Sequence, residues 1–236
     1  MSEPLVLVPG MMCDARLYAA QIADLSRDFA VMVVPVTGQD RVEDMAIQVL
    51  QQAPERFALA GLSMGGIVAM EVIRRAPERV TRIALIDTNA LPETPQSAAA
   101  YEPLIVGAKS GQIERVMADF MRPEFLAPGP GRSQILGLVQ EMARDLGAEV
   151  LIRQVRALQR RPDQQGTLRR IKAPALVLCG AHDRLTPVKR HEFMAGLIPH
   201  AQLQIIEEAG HLPVLETPGE INTALRLWMS QPYVLQ

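Results

Sequence analysis

The chain has 236 residues, 48% apolar and 21% charged, the balance of an ordinary folded protein long enough for one large core. Its 24 basic and 26 acidic residues give a net charge of −2, so it has no basic field to attract nucleic acid. Cys13 and Cys179 form neither a metal-type spacing nor a disulfide framework, and the longest uncharged apolar run, between Arg56 and Glu71, is too short to span a membrane. The Met1–Pro4 end has no basic stretch of the kind that opens a secretory leader, so a soluble cytoplasmic protein is expected.

In chain order, Leu5–Val8 is a short apolar run closed by Pro9-Gly10 and reads as a buried strand entering a loop. Tyr18–Asp28 has helical spacing, with Ile22 and Leu25 on one side. Ala30–Val34 reads as a second strand and Val42–Gln52 as a helix burying Met45 and Val49 with Ala46 or Leu50. Phe57–Leu62 is a third strand, Gly66–Arg75 a helix stopped by Pro77, and Val80–Ile86 a fourth strand. Such alternation of apolar strands with helices predicts a parallel sheet covered on both faces. The alternation stops from Asn89 to Gly166, where Gln112–Phe120, Ser133–Leu146 and Glu149–Arg160 read as amphipathic helices between Pro and Gly breakers. It resumes with strand Ala175–Cys179, helix Lys189–Leu197, strand Gln202–Ile206 and helix Pro218–Met229. The expected architecture is a doubly wound α/β fold with a six-stranded, mainly parallel sheet. Residues 1–88 and 167–236 form its core and 89–166 an inserted helical cap or lid.

Gly61-Leu62-Ser63-Met64-Gly65-Gly66 lies between a predicted strand and a predicted helix, the context that the G-x-S-x-G elbow needs. A serine hydroxyl is a poor nucleophile unless it is held near a base, and a tight strand-to-helix turn presents it at the sheet edge. The glycines let backbone pass close by, and the helix start aims free N–H groups at a developing oxyanion. The competing reading is a glycine turn that merely packs a helix onto a strand, or a phosphate loop. The Walker lysine is absent, and the segment is not G-x-G-x-x-G.

Gly180-Ala181-His182-Asp183 follows the fifth strand, and Glu208-Ala209-Gly210-His211-Leu212-Pro213 the sixth, so both segments leave the same sheet edge as Ser63. The order Ser63, Asp183, His211 suits a nucleophile, an orienting acid and a base. Asp87, at the end of the fourth strand, competes for the role of acid. On these motifs, together with Ala76-Pro77-Glu78-Arg79-Val80, nearly the whole chain resembles the α/β-hydrolase superfamily, notably its small serine esterases, enol-lactone hydrolases and cofactor-free haloperoxidase-like members. The resemblance implies a triad of Ser63, Asp183 and His211 and an oxyanion hole formed by the backbone N–H groups of Met64 and Met11. The chain departs from the family at Pro9-Gly10, where many members have His-Gly, and no antiparallel hairpin is expected before the first parallel strand.

Other polar residues have plainer readings. His182 shapes its loop, and His200 is solvated in a turn. His191-Glu192 opens like a zinc motif, but Ala195 stands where the second histidine is needed. Cys13 and Asp14 read as structural, with Asp14 a possible helix cap. The expected reaction is hydrolysis of a small to medium ester, or a lactone, through an acyl-enzyme on Ser63, with a small molecule as partner and with no metal or organic cofactor. Two other uses of the same set stay open: perhydrolase- or lyase-like chemistry, and a small-ligand receptor. The stretch from Asn89 to Gly166 holds nine acidic and nine basic residues and so expresses no preference for a charged substrate. Met117, Met121, Met142, Leu138 and Phe120 are candidates for a soft apolar pocket wall, although their helical spacing equally suits lid core.

Overall fold

The computed structural model describes residues 3–232, so Met1 and Ser2 of the amino-terminal expectation lie outside it. Six parallel strands form one sheet: β1 (Leu5–Val8), β2 (Val31–Val33), β3 (Phe57–Leu62), β4 (Val80–Ile86), β5 (Ala175–Gly180) and β6 (Gln202–Ile206). Their order is β2-β1-β3-β4-β5-β6. The chain therefore leaves β1 toward one edge and later returns to pair β3 on its other side. Loops after β1 and β3 diverge at this reversal, where open α/β sheets place their ligands.

Strands β1, β3 and β5 are buried at every residue, as their unbroken apolar sequences demand. The outer strands differ because only one flank is paired. β2 is half-buried, and β6 exposes Gln202, Leu203 and Ile205.

Helices α1 (Ala19–Leu25), α2 (Val42–Gln52) and α3 (Met64–Arg75) join the first four strands. The helix expected over Tyr18–Asp28 is present as α1 but ends at Leu25, and it is preceded by a 3₁₀ turn over Ala15–Tyr18 that Asp14 caps by accepting the Arg16 N–H at 2.9 Å. The buried face of α1 is Gln21 and Leu25, with Ile22 half-buried, because the Gln21 amide finds the Val214 carbonyl at 3.2 Å. α3 starts directly after Ser63 and buries every residue from Met64 to Ile73. That includes Glu71, whose carboxylate is satisfied by Arg74, Arg75 and Gln164.

Between β4 and β5 lie α4 (Pro95–Ala99), α5 (Glu102–Lys109), α6 (Ile113–Phe120), α7 (Arg132–Leu146), α8 (Ala148–Gln159) and α9 (Gln165–Leu168), with a 3₁₀ turn at Pro123–Phe125. No strand occurs here among the described residues. α10 (Val188–Leu197) connects β5 to β6, and α11 (Pro213–Glu216) and α12 (Pro218–Ser230) follow. The insertion packs on the core through one continuous set of buried side chains that includes Ile105, Met117, Met142 and Val155. No helix among the described residues is long and apolar enough to cross a membrane.

Candidate active site

Ser63 sits between β3 and α3 with φ 54° and ψ −117°, a conformation that a side-chain-bearing residue adopts only when its surroundings enforce it. Its backbone is held from both sides. The Ser63 N–H donates to the Ile86 carbonyl at 2.9 Å, and the Ser63 carbonyl accepts from Gly66 N–H at 3.0 Å and Thr88 Oγ1 at 2.7 Å. The flanking glycines are required by space: a Cβ on Gly65 would stand 2.0 Å from the Val8 carbonyl oxygen, and one on Gly61 would stand 2.2 Å from that of Gly65.

The loops after β5 and β6 bring Asp183 and His211 to this turn. His211 Nε2 lies 3.0 Å from Ser63 Oγ, and its Nδ1 lies 2.8 Å from Asp183 Oδ2. With the ring proton on Nδ1, the imidazole donates to Asp183 and accepts from the serine hydroxyl. Both His211 and Asp183 are buried. Burial works to raise the Asp183 carboxyl, but the facing His211, followed by the hydrogen bond from Thr186, outweighs it and holds the group well below the usual carboxylate range. The Asp183 oxygens also accept from Leu185 N–H at 2.7 Å and from Thr186 N–H at 3.0 Å.

Asp87, the rival acid, makes no hydrogen bond to His211. Its Oδ1 accepts the Gly180 N–H at 3.0 Å, and its carboxyl lies against that of Asp183. Burial, and then the Asp183 charge, pushes Asp87 well above the ordinary range.

Three residues to which sequence reasoning gave no part in the site hold the surrounding loops, His191 among them having been read only as a failed zinc motif. His191 is a fully buried ring whose Nε2 accepts the Thr88 N–H at 2.9 Å, and burial pushes it down to about 4. Glu216 accepts from Gly210 N–H at 2.9 Å, Leu212 N–H at 2.9 Å and Ala127 N–H at 2.7 Å, which ties the loop bearing His211 to the insertion. The His211 N–H itself donates to the Phe125 carbonyl at 2.8 Å. Gln154, on α8, accepts the Met12 N–H and donates to the Val36 carbonyl. Each of the three reaches at least one partner far away in sequence, Thr88 for His191, Ala127 for Glu216 and Met12 for Gln154, and a lone sequence does not display such pairings.

Met64 occupies the first position of α3, where the N–H has no carbonyl one turn earlier to meet, and it borders the same cavity as Met11 and Ser63. Met12, next to Met11, has φ 55°, so this loop too is bent into a left-handed conformation. His182 is exposed and donates its N–H to the Ala209 carbonyl, which fits a loop-shaping part. His200 is exposed with φ 61°, and Cys13 is a buried thiol pushed up to about 12.

A cavity of about 300 Å³ opens over Ser63. Met11, Met64, Ile67, Phe120, Leu158 and Leu185 supply its apolar walls. Arg161 and Glu93 also border it, but they neutralise each other at 2.6 Å. Of the five residues suggested for an apolar wall, Phe120 alone is part of this lining among the described residues. Met117, Met121 and Met142 are buried outside this lining, as helical spacing also allowed, and Met142 Sδ accepts the Asp14 N–H of the segment after β1.

The profile of the Alpha/beta hydrolase family matches residues 5–224. The chain is 26% identical to the putative carbamate hydrolase RutD of Pseudomonas savastanoi pv. phaseolicola, over 91% of this chain and 88% of that one. It is 28% identical to the pimeloyl-[acyl-carrier protein] methyl ester esterase of Citrobacter koseri, over 94% and 91%. Among solved structures, a thermophilic esterase from Thermogutta terrifontis superposes with a TM-score of 0.87 at 26% identity, covering 97% of this chain and 90% of that one.

Proposed function

The chain belongs to the alpha/beta hydrolase family, and on that premise we propose that it is a serine hydrolase of small to medium apolar esters, or of lactones. The observation that carries the reading is the uninterrupted line from Ser63 Oγ through the two nitrogens of His211 to Asp183, at 3.0 and 2.8 Å. Ser63 attacks the ester carbonyl as His211 takes its proton, and Asp183 fixes the ring tautomer and stabilises the imidazolium that forms. The tetrahedral oxyanion is received by the N–H groups of Met64 and Met11. His211 returns the proton to the leaving alkoxide, and water repeats the sequence on the acyl-enzyme.

The size and walls of the cavity favour a compact apolar acyl or alkyl group; of the charges that border it, Arg161 and Glu93 neutralise each other, and the exposed Arg190 also lines it. Residues 89–166 serve as a lid that shapes this space and excludes water. The names of the relatives agree in reaction type, since two of them are esterases. A panel of activated esters and lactones on wild type and Ser63→Ala tests the proposal. Turnover is expected from wild type alone, with a fluorophosphonate adduct on Ser63. An adduct elsewhere, or turnover that survives Ser63→Ala, overturns it.

A further inference from the structure

Two carboxyl groups share the buried end of the site, and their surroundings are unequal. Ligand atoms of Asp87, Asp183 and His211 all lie within 4.8 Å of one another, and all three residues are buried. Asp183 accepts four hydrogen bonds, from the N–H groups of Leu185 and Thr186, Thr186 Oγ1 and His211 Nδ1. Asp87 accepts one, from Gly180, and no donor of the described residues reaches its Oδ2. An ionised carboxylate needs donors on both oxygens to remain in a dry interior, and two adjacent carboxylates do not both ionise when one proton can be shared between them.

We propose that Asp87 is held as a neutral carboxylic acid whose O–H donates from Oδ2 to the Asp183 carboxylate, which makes it a positioning residue for the acid–base pair. This rests on Asp183 and His211 having the parts given them above. The donated hydrogen bond gives Asp183 a fifth donor, turns its other lone pairs toward His211 and moderates how strongly the aspartate attracts the ring proton. An ionised Asp87 would put a second negative charge beside His211 and hold the base in its protonated, inactive form at higher pH.

The groups facing Asp87 agree with the neutral form. The charges among them are the carboxylates of Asp183 and Glu216, both of the same sign as an ionised Asp87. Cys179 on β5 is a thiol pushed up by burial, His191 on α10 is a ring pushed down to about 4 by burial, and the Nδ1 of His211 is engaged by Asp183. Burial and the neighbouring Asp183 both raise the Asp87 carboxyl. Asp87 also has a left-handed backbone, φ 40°, at the end of β4, a conformation that its buried surroundings must hold in place.

Asp87→Asn tests this, because an amide keeps both the acceptor for Gly180 and a donor for Asp183 without an ionisable proton. The thermal arm needs no substrate. The unfolded wild-type chain ionises this carboxyl above about pH 4 while the folded chain keeps the proton, so wild type loses stability relative to the variant as pH rises. The Tm of Asp87→Asn minus that of wild type should therefore grow from pH 4 to pH 8. A difference that is flat or shrinks over that range overturns the proposal.

The kinetic arm reads the acid limb of the pH–kcat/KM profile. Asp87→Asn should leave the limb within about half a pH unit of wild type and lower kcat less than about tenfold. Removing a real negative charge at this distance would instead move the limb down by about one unit or more, which also overturns the proposal. Asp87→Ala, which lacks the donor, should move the limb up relative to Asp87→Asn; coincident limbs remove the positioning role. If Ser63 is not the nucleophile, activity survives Ser63→Ala and the thermal arm is unaffected, so the two failures are distinguishable.

Discussion

Gln154 accepts the Met12 N–H at 2.8 Å and donates to the Val36 carbonyl at 2.9 Å, so a side chain of the insertion holds the loop that follows β1. Both contacts are buried, and Met12 adopts the left-handed conformation that this anchor stabilises. The insertion therefore holds the loop proposed to carry an oxyanion donor, and also supplies a wall of the cavity.

Replacing Gln154 with Leu leaves the Met12 N–H and the Val36 carbonyl buried without partners, at a cost of about 1–3 kcal/mol for each group. The expected result is a lower Tm together with a kcat reduced at least about tenfold on a simple ester, because the Met11 N–H moves with its loop. Steady-state kinetics at a temperature where the variant is fully folded check this. An unchanged kcat would show that Met11 is not an oxyanion donor.

Asp183→Asn keeps the volume of the side chain but presents an amide where His211 needs an acceptor in a fixed orientation. The fold should persist while kcat falls on the order of 10⁴-fold, the loss seen for the same change in a serine protease triad. Circular dichroism beside a kinetic assay separates the two effects. Asp87→Asn costing more than Asp183→Asn, with both folded, would exchange the parts of the two aspartates.

His191 supplies a pH dependence of its own. The ring is held neutral down to about pH 4, whereas an unfolded histidine takes up its proton near pH 6.5. Between those values the unfolded chain binds more protons, so stability falls as pH falls through that window, by about 3 kcal/mol in total. His191→Gln, which keeps an acceptor for the Thr88 N–H, should flatten the Tm profile between pH 6.5 and 4. An equally steep profile in the variant would assign the slope to other groups.

Gly65→Ala inserts a methyl group against the Val8 carbonyl oxygen in the tightest crossing of the fold. Neither backbone yields easily, so the expected loss is on the order of 3 kcal/mol, with activity lost because the Ser63 turn opens. Thermal unfolding and phosphonate labelling measure the two consequences.

The parts of the site governed by local spacing were legible in the sequence. Glycines at 61 and 65 around Ser63, between a strand and a helix, specify the turn, and the loops bearing Asp183 and His211 follow strands of clear apolar character. Helices α4 and α5 were not anticipated because Pro95 and Pro103 look like breakers in sequence, although proline at a helix start is compatible with its fixed φ and missing N–H. Gln154 and Glu216 were invisible for a different reason. Gln154 shares the buried face of α8 with Val150, Leu151 and Leu158, and Glu216 ends the short α11, but what each satisfies is decided by partners up to 142 residues away. The contact of Asp87 with Asp183 is of the same kind, set by the pairing of β4 with β5.

Ser63 and His211 meet across 148 residues, from neighbouring loops of strands that are not themselves paired. During refolding, helical signal returns as local segments form, but this distance closes only once the sheet that carries both loops is assembled. Regained turnover is thus a readout of completed long-range assembly, and a chain with its helices formed but Ser63 and His211 still apart would be catalytically silent.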